Sequence, residues 1–125
     1  MFRAIQSGQV WISSVVLAEL YVGTHSRDDQ LILDRIILAA RRMERLLTPD
    51  ESDWIRAGRL ISRRARLHGS VLPRDHLADV LILVSTARLQ GIVVTANLRH
   101  FEMWRRLAVA GGLDVMVRAA DSTDS

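Results

Sequence analysis

Between Asp75 and Phe101 the chain reads DHLADVLILVSTARLQGIVVTANLRHF, and this stretch limits the possible folds more than any other. Its spacing predicts a long apolar helix from about Asp75 to Gln90. Gly91 breaks the helix, Ile92–Thr95 (IVVT) is β-branched enough for a strand, and Ala96–Asn97 is a polar turn. Asp79 stands directly before the apolar run Val80–Val84. A carboxylate beside such a run is costly unless something pairs with it. The available partners are a helix cap, an arginine (Arg74 or Arg88) or a metal ion. Asp75 reads as the N-cap of the helix rather than as a ligand.

The flanking segments alternate in the same way. Gln9–Val16 (QVWISSVV) starts as a strand, and Ser13 or Ser14 can cap the helix that follows. That helix carries Val16, Leu17, Leu20 and Tyr21 at helical spacing, has Glu19 in its first turns and ends at Gly23. A second helix begins at Arg27, with a stripe through Leu31, Ile32, Arg35, Ile36, Leu38 and Ala39. Leu46–Leu47 is a short strand. Thr48 then caps a third helix, with Pro49 as its first residue and Asp50 and Glu51 favouring its N-terminus. Trp54, Ala57, Leu60 and Ile61 form the core face of that helix, and Gly69 ends it. A loop (SVLPR) leads into the quoted segment. A short helix over 99–112, a last strand over 113–119 and a polar tail over 120–125 complete the chain.

Strands alternating with helices imply a parallel sheet covered by helices. Ligands of such folds sit at the carboxyl ends of the strands. Glu19 follows the first strand, Asp79 lies near the start of the helix feeding IVVT, and Asn97 lies just past that strand. All three are expected at one sheet edge, where oxygen donors suit Mg²⁺ or Mn²⁺. Composition agrees with a folded, water-soluble domain. Hydrophobic residues make up 49% of the 125, which argues against global disorder. No apolar run approaches the roughly 20 residues of a membrane span, and the N-terminus lacks the apolar stretch of a signal peptide. The expected location is cytoplasmic. Cysteine is absent, which excludes disulfides and thiolate metal sites. All 17 basic residues are arginine, whose planar fork suits phosphate, and the net charge is +3.

ISSVVLAELYVGT resembles the second motif of PIN-domain nucleases, a strand followed by a helix bearing an acid, here Glu19. LADVLILVSTARLQGIVVTANLRHF resembles their third and fourth motifs. Asp79 matches the third-motif acid, and Thr95 and Asn97 match the Thr-x-Asn/Asp turn. Position 100, often Asp in the family, is His. VapC-type toxins of bacterial toxin–antitoxin pairs are the nearest look-alikes, and the resemblance spans roughly Val10 to Val117. The family's opening strand carries an Asp, whereas Met1–Gly8 holds no carboxylate. The chain is therefore expected to start after that strand.

The resemblance implies an α/β fold of PIN-like three-layer α/β/α type, with a central parallel sheet lacking its first strand. It implies one domain over 1–119. The implied activity is Mg²⁺-dependent (or Mn²⁺-dependent) endoribonuclease chemistry within a type II toxin–antitoxin system, weakened by loss of the first Asp. Glu19 and Asp79 would be metal ligands and, with Asn97, catalytic. Thr95, Asn97 and His100 would bind substrate. RNA, a cognate antitoxin and a second copy of the chain are the implied partners, with no membrane. Two alternatives stand beside this: an inactive PIN-like module that binds RNA or an antitoxin, and a plain α/β interaction domain. The side chains also have simpler readings. Glu19 suits a helix surface, Asn97 turn geometry and His100 a turn or surface. His25, His68 and His76 look solvated or structural. Trp11, Trp54 and Trp104 read as core, although an exposed Trp can stack on a base. Arg41–Arg42, Arg63–Arg64 and Arg105–Arg106 read as solvated faces, or else as a phosphate-binding stripe or the seat of an acidic tail.

Overall fold

A computed structural model describes residues 10–69 and 73–120 of the chain. It forms two compact units, Met1–Thr48 and Pro49–Ser125. The polar tail from Asp121 onward, most of the SVLPR loop and the start of the Gln9 strand lie outside the described residues.

In the first unit, β1 (Ile12–Ser13) runs into α1 (Ser14–Val22), and α2 (Arg27–Arg42) leads to β2 (Leu46–Leu47). Ser13 is the cap: its hydroxyl accepts the Val15 N–H at 3.2 Å. β1 and β2 pair in parallel, with Ile12 opposite Leu46 and Ser13 opposite Leu47. α2 is capped by Ser26, with Asp28 and Asp29 in its first turn and Arg41 and Arg42 in its last, matching both ends of the helix dipole. Its inward stripe differs from the one expected. Leu33 and Ala40 are buried and Ile36 and Ile37 partly so, while Leu31, Ile32 and Leu38 are exposed. The helix is apolar on more than one side, so spacing alone left the choice of face open. Ile12, Leu17 and Ala40 form the core of this unit.

Tyr21 ties α1 to α2 by donating its hydroxyl to Asp34. That hydrogen bond raises the phenol pKa above its ordinary 10.0, with smaller contributions from desolvation and the Asp34 charge. Tyr21 is the sole tyrosine, so the near-ultraviolet absorbance of tyrosinate reads it alone. The titration midpoint is expected above that of a free tyrosine and is expected to fall back in Asp34→Ala. A raised folded pKa means this tie is fully present below the unfolded value and is lost as pH climbs through the folded one.

The second unit comprises α3 (Glu51–His68), α4 (Pro73–Arg88), β3 (Ile92–Thr95), α5 (Leu98–Ala110) and β4 (Met116–Ala119). α3 is capped by Asp50, not Thr48. The Asp50 carboxylate accepts the Asp53 N–H at 2.9 Å, and the Asp53 carboxylate accepts the Asp50 N–H at 3.0 Å. This reciprocal capping box satisfies two otherwise orphaned donors, and Thr48–Pro49 precede it. Ala57, Leu60 and Ile61 face inward as expected, but Trp54 is 52% exposed. Trp11, in the first unit, is also exposed and lies beneath the Arg45 guanidinium, so of the three tryptophans only Trp104 is core.

α4 starts at Pro73, where the missing proline N–H costs nothing. Asp75 is therefore inside the first turn rather than at the N-cap. Val80–Val84 are buried, and Ser85 and Thr86 return their hydroxyls to the carbonyls of Leu81 and Ile82 at 2.6 and 2.7 Å. The helix ends at Arg88, and Gln90 takes a left-handed φ of 56°. At Gly91 a Cβ would come within 3.1 Å of the Thr86 methyl, so a larger residue at this reversal would push the Thr86 side chain aside by a few tenths of an ångström. β3 and β4 pair in parallel from Ile92–Met116 to Thr95–Ala119, joined through α5. Phe101, Trp104 and Ala108 of α5 are buried, as is Val115 just before β4. Among the described residues, no helix is long and apolar enough to cross a membrane.

Candidate functional site

Asp79 lies on α4 immediately before the fully buried Val80, and its side chain is 28% exposed. The charge is paired by His100: Nε2 lies 2.8 Å from Asp79 Oδ2. Neither arginine considered from sequence is needed for this. Arg88 is nine residues along the helix, about 13 Å away and half a revolution round, and it pairs instead with Asp53 and Asp50. The Arg74 side chain lies outside the described residues.

β3 delivers the turn to which His100 belongs. Thr95 ends the strand, and its hydroxyl accepts the Asn97 N–H at 2.9 Å. Asn97 is the N-cap position of α5, yet its side chain makes no capping hydrogen bond, which leaves the amide available. His100 follows in the first turn of α5. Strand, turn and helix start thus place Thr95, Asn97 and His100 in sequence, with His100 reaching Asp79.

His76, read from sequence as solvated or structural, belongs to this cluster. Its ring stacks on His100 with centroids 5.8 Å apart and planes at 25°, and tilts against Trp104 at 5.3 Å. Phe101 meets His100 edge-on at 6.0 Å. His76 Nδ1 and Trp104 Nε1 are buried without a hydrogen-bond partner among the described residues. The available signal was spacing: His76 precedes Asp79 by three residues, so both lie on one helix face. The stacked His76 and the edge-on Phe101 constrain the His100 ring where it reaches the carboxylate.

Glu19 belongs to the first unit, on the second turn of α1, and is exposed. Its carboxylate makes no hydrogen bond or ion pair among the described residues, where Ser13 holds the start of its helix and Tyr21 pins it to α2.

A hard divalent cation wants oxygen donors and keeps several waters. The Asp79 carboxylate, the Asn97 amide and the Thr95 hydroxyl are donors of that kind. Among the described residues, however, no group of three or more His, Asp or Glu side chains is assembled for a metal. The Asp79 carboxylate, one oxygen of which faces His100, would hold such an ion with water supplying the rest of its ligands. The residues fit such an ion as a partial, solvent-completed site.

A family model described as PIN domain matches residues 2–107. Among solved structures, a chain in the structure of FitAB bound to an IR36 DNA fragment is 20% identical, with a TM-score of 0.60, covering 89% of this chain and 73% of that one. At that identity the likeness concerns the fold alone, which in this chain is helix-rich with short parallel strands. No curated protein matches the chain.

Proposed function

Since the chain belongs to the PIN domain family, we propose that it is a metal-dependent endoribonuclease of VapC toxin type, acting on RNA in the cytoplasm within a type II toxin–antitoxin pair. PIN domains are in general divalent-metal dependent. The observation that supports the reading most is the placement of Asp79 beside the Thr95–Asn97 turn's own helix, with its charge outside the apolar run and paired, among the described residues, by a displaceable imidazole. FitAB in its structure is bound to DNA, in keeping with a nucleic-acid partner for this fold.

In this account Asp79 is a metal ligand and Glu19 the second acid of that role. The bound Mg²⁺ or Mn²⁺ would supply Lewis-acid stabilisation of phosphate oxygens and a more acidic water. Asn97 holds a water or a phosphate oxygen with its uncommitted amide. Thr95 keeps the turn in shape through its hydroxyl, which accepts the Asn97 backbone N–H. His100, stacked on His76, positions the Asp79 carboxylate and offers an N–H to a phosphate once it lets go. A cognate antitoxin and a second copy of the chain complete the proposed assembly.

The same His100 contact favours a second reading, a PIN-like module that binds nucleic acid or an antitoxin without cutting, because it occupies one oxygen of the candidate ligand. Incubating the full chain with single-stranded RNA, with Mg²⁺ or with a chelator, separates the two. Cleavage that appears with the metal and stops with chelation supports the nuclease. RNA binding with no cleavage under either condition supports the inactive module and overturns the nuclease.

A further inference from the structure

α3 carries Arg56, Arg59, Arg63, Arg64 and Arg66, and no acid after Asp53. Four of these, Arg56, Arg59, Arg63 and Arg66, line a groove of about 690 Å³ in the second unit. Their offsets of three, four and three residues keep them within an arc of about 80° and spread them over about 15 Å of helix. The groove lining contains no carboxylate. Among the described residues, no acid pairs with Arg56, Arg59 or Arg63, while Arg66 donates to the Ser62 hydroxyl at 3.1 Å. Four guanidinium groups side by side repel one another and are left for an anion to satisfy.

The half-exposed indole of Trp54 lines the same groove. The second wall comes from the end of α5, where Arg63 Nη1 lies 3.5 Å from the position a Cβ at Gly111 would take. At Gly58 a Cβ would meet nothing within 4 Å, so glycine there leaves the groove floor open.

We propose that this groove is a binding track for single-stranded nucleic acid, the α3 arginines on successive phosphates and Trp54 on a base. A row of forked cations beside an exposed aromatic face is how single strands are held without sequence preference. An acidic peptide would satisfy the arginines but leaves the indole without a role. The track rests on the nuclease reading only in taking the strand to be RNA. Its residues are separate from Asp79, Asn97 and His100.

The test is binding of a fluorescent single-stranded RNA to the full chain in the presence of a chelator, so that cleavage plays no part. The double variant Arg56→Gln/Arg59→Gln removes two exposed groups and should fold normally. It is expected to bind about tenfold more weakly, with the slope of log affinity against log salt falling by about 1.4. Arg41→Gln/Arg42→Gln, an equal loss of charge on α2, should leave most of the affinity. Trp54→Ala should weaken binding several-fold and Trp54→Phe should restore it. Cleavage of the same RNA by the wild-type chain with Mg²⁺, read apart from this chelated binding, separates failure of the track from failure of the nuclease. Equal weakening by the α2 pair, unchanged binding in the α3 pair, or polyglutamate competing as well as RNA would each overturn the proposal.

Discussion

Arg88→Met is expected to destabilise the second unit by about 3 kcal/mol. Asp53 is fully buried, and its carboxylate receives Arg88 Nη2 at 2.9 Å and Nε at 3.0 Å. Removing the guanidinium strands a charge in the interior, and the Asp50 N–H that also reaches this carboxylate cannot neutralise it. Arg88 itself is about a third exposed, which sets the expectation at the low end of the range for buried pairs. Urea unfolding followed by circular dichroism measures the loss. The double variant Asp53→Asn/Arg88→Met should recover part of it, since no charge is then left unpaired. If the single and double variants unfold alike, the pair is not what links α3 to α4.

The same corner has a pH signature. The Ser52 hydroxyl, the Asp53 N–H and the Arg88 charge, in that order, hold the Asp50 carboxyl below its ordinary 3.8. A depressed folded pKa contributes stability that is present above the unfolded value and lost as pH falls through the folded one. The α3 cap is therefore expected to loosen only in acid below about pH 4, and an Asp50→Asn variant should lose that part of the acid dependence.

Asp79→Ala is expected to reduce RNA cleavage at least a hundredfold, roughly the order associated with losing metal-binding groups in hydrolytic sites. Its stability should change little, because Asp79 and His100 are each about a quarter exposed. Glu19→Ala is expected to act in the same direction. His100→Ala frees Asp79 Oδ2 and should bind the cation more tightly rather than imitate Asp79→Ala. Initial rates across a Mg²⁺ titration, with unfolding curves as controls, check all three. Wild-type rates in Asp79→Ala would remove this residue from the chemistry.

What was readable beforehand follows the physics of each residue. Gly91 with IVVT announced β3, because a glycine stop and β-branched residues have few other uses together. Ser13 announced α1 through its cap. Asp50 was read only as a charge near a helix dipole, although Asp50-x-x-Asp53 is also a capping box, and this moved the cap from Thr48. The stripe of α2 was misplaced because Leu31, Ile32 and Leu38 are apolar yet outside. The site was legible as a set of positions but not as contacts. Helical spacing rules out Arg88 as the partner of Asp79, but it does not reveal that His100, on another helix, is. The His76–His100–Trp104 stack joins two helices through tertiary packing that no local pattern encodes.

The central claim is that Asp79 seats a divalent cation beside the β3 turn. Backbone amide resonances of the isotope-labelled chain, recorded as Mn²⁺ is added, test it without reference to catalysis. The account predicts that broadening begins at Asp79, Asn97 and His100 and is lost in Asp79→Ala. Broadening that leaves these three unaffected, or that persists unchanged in the variant, would contradict it.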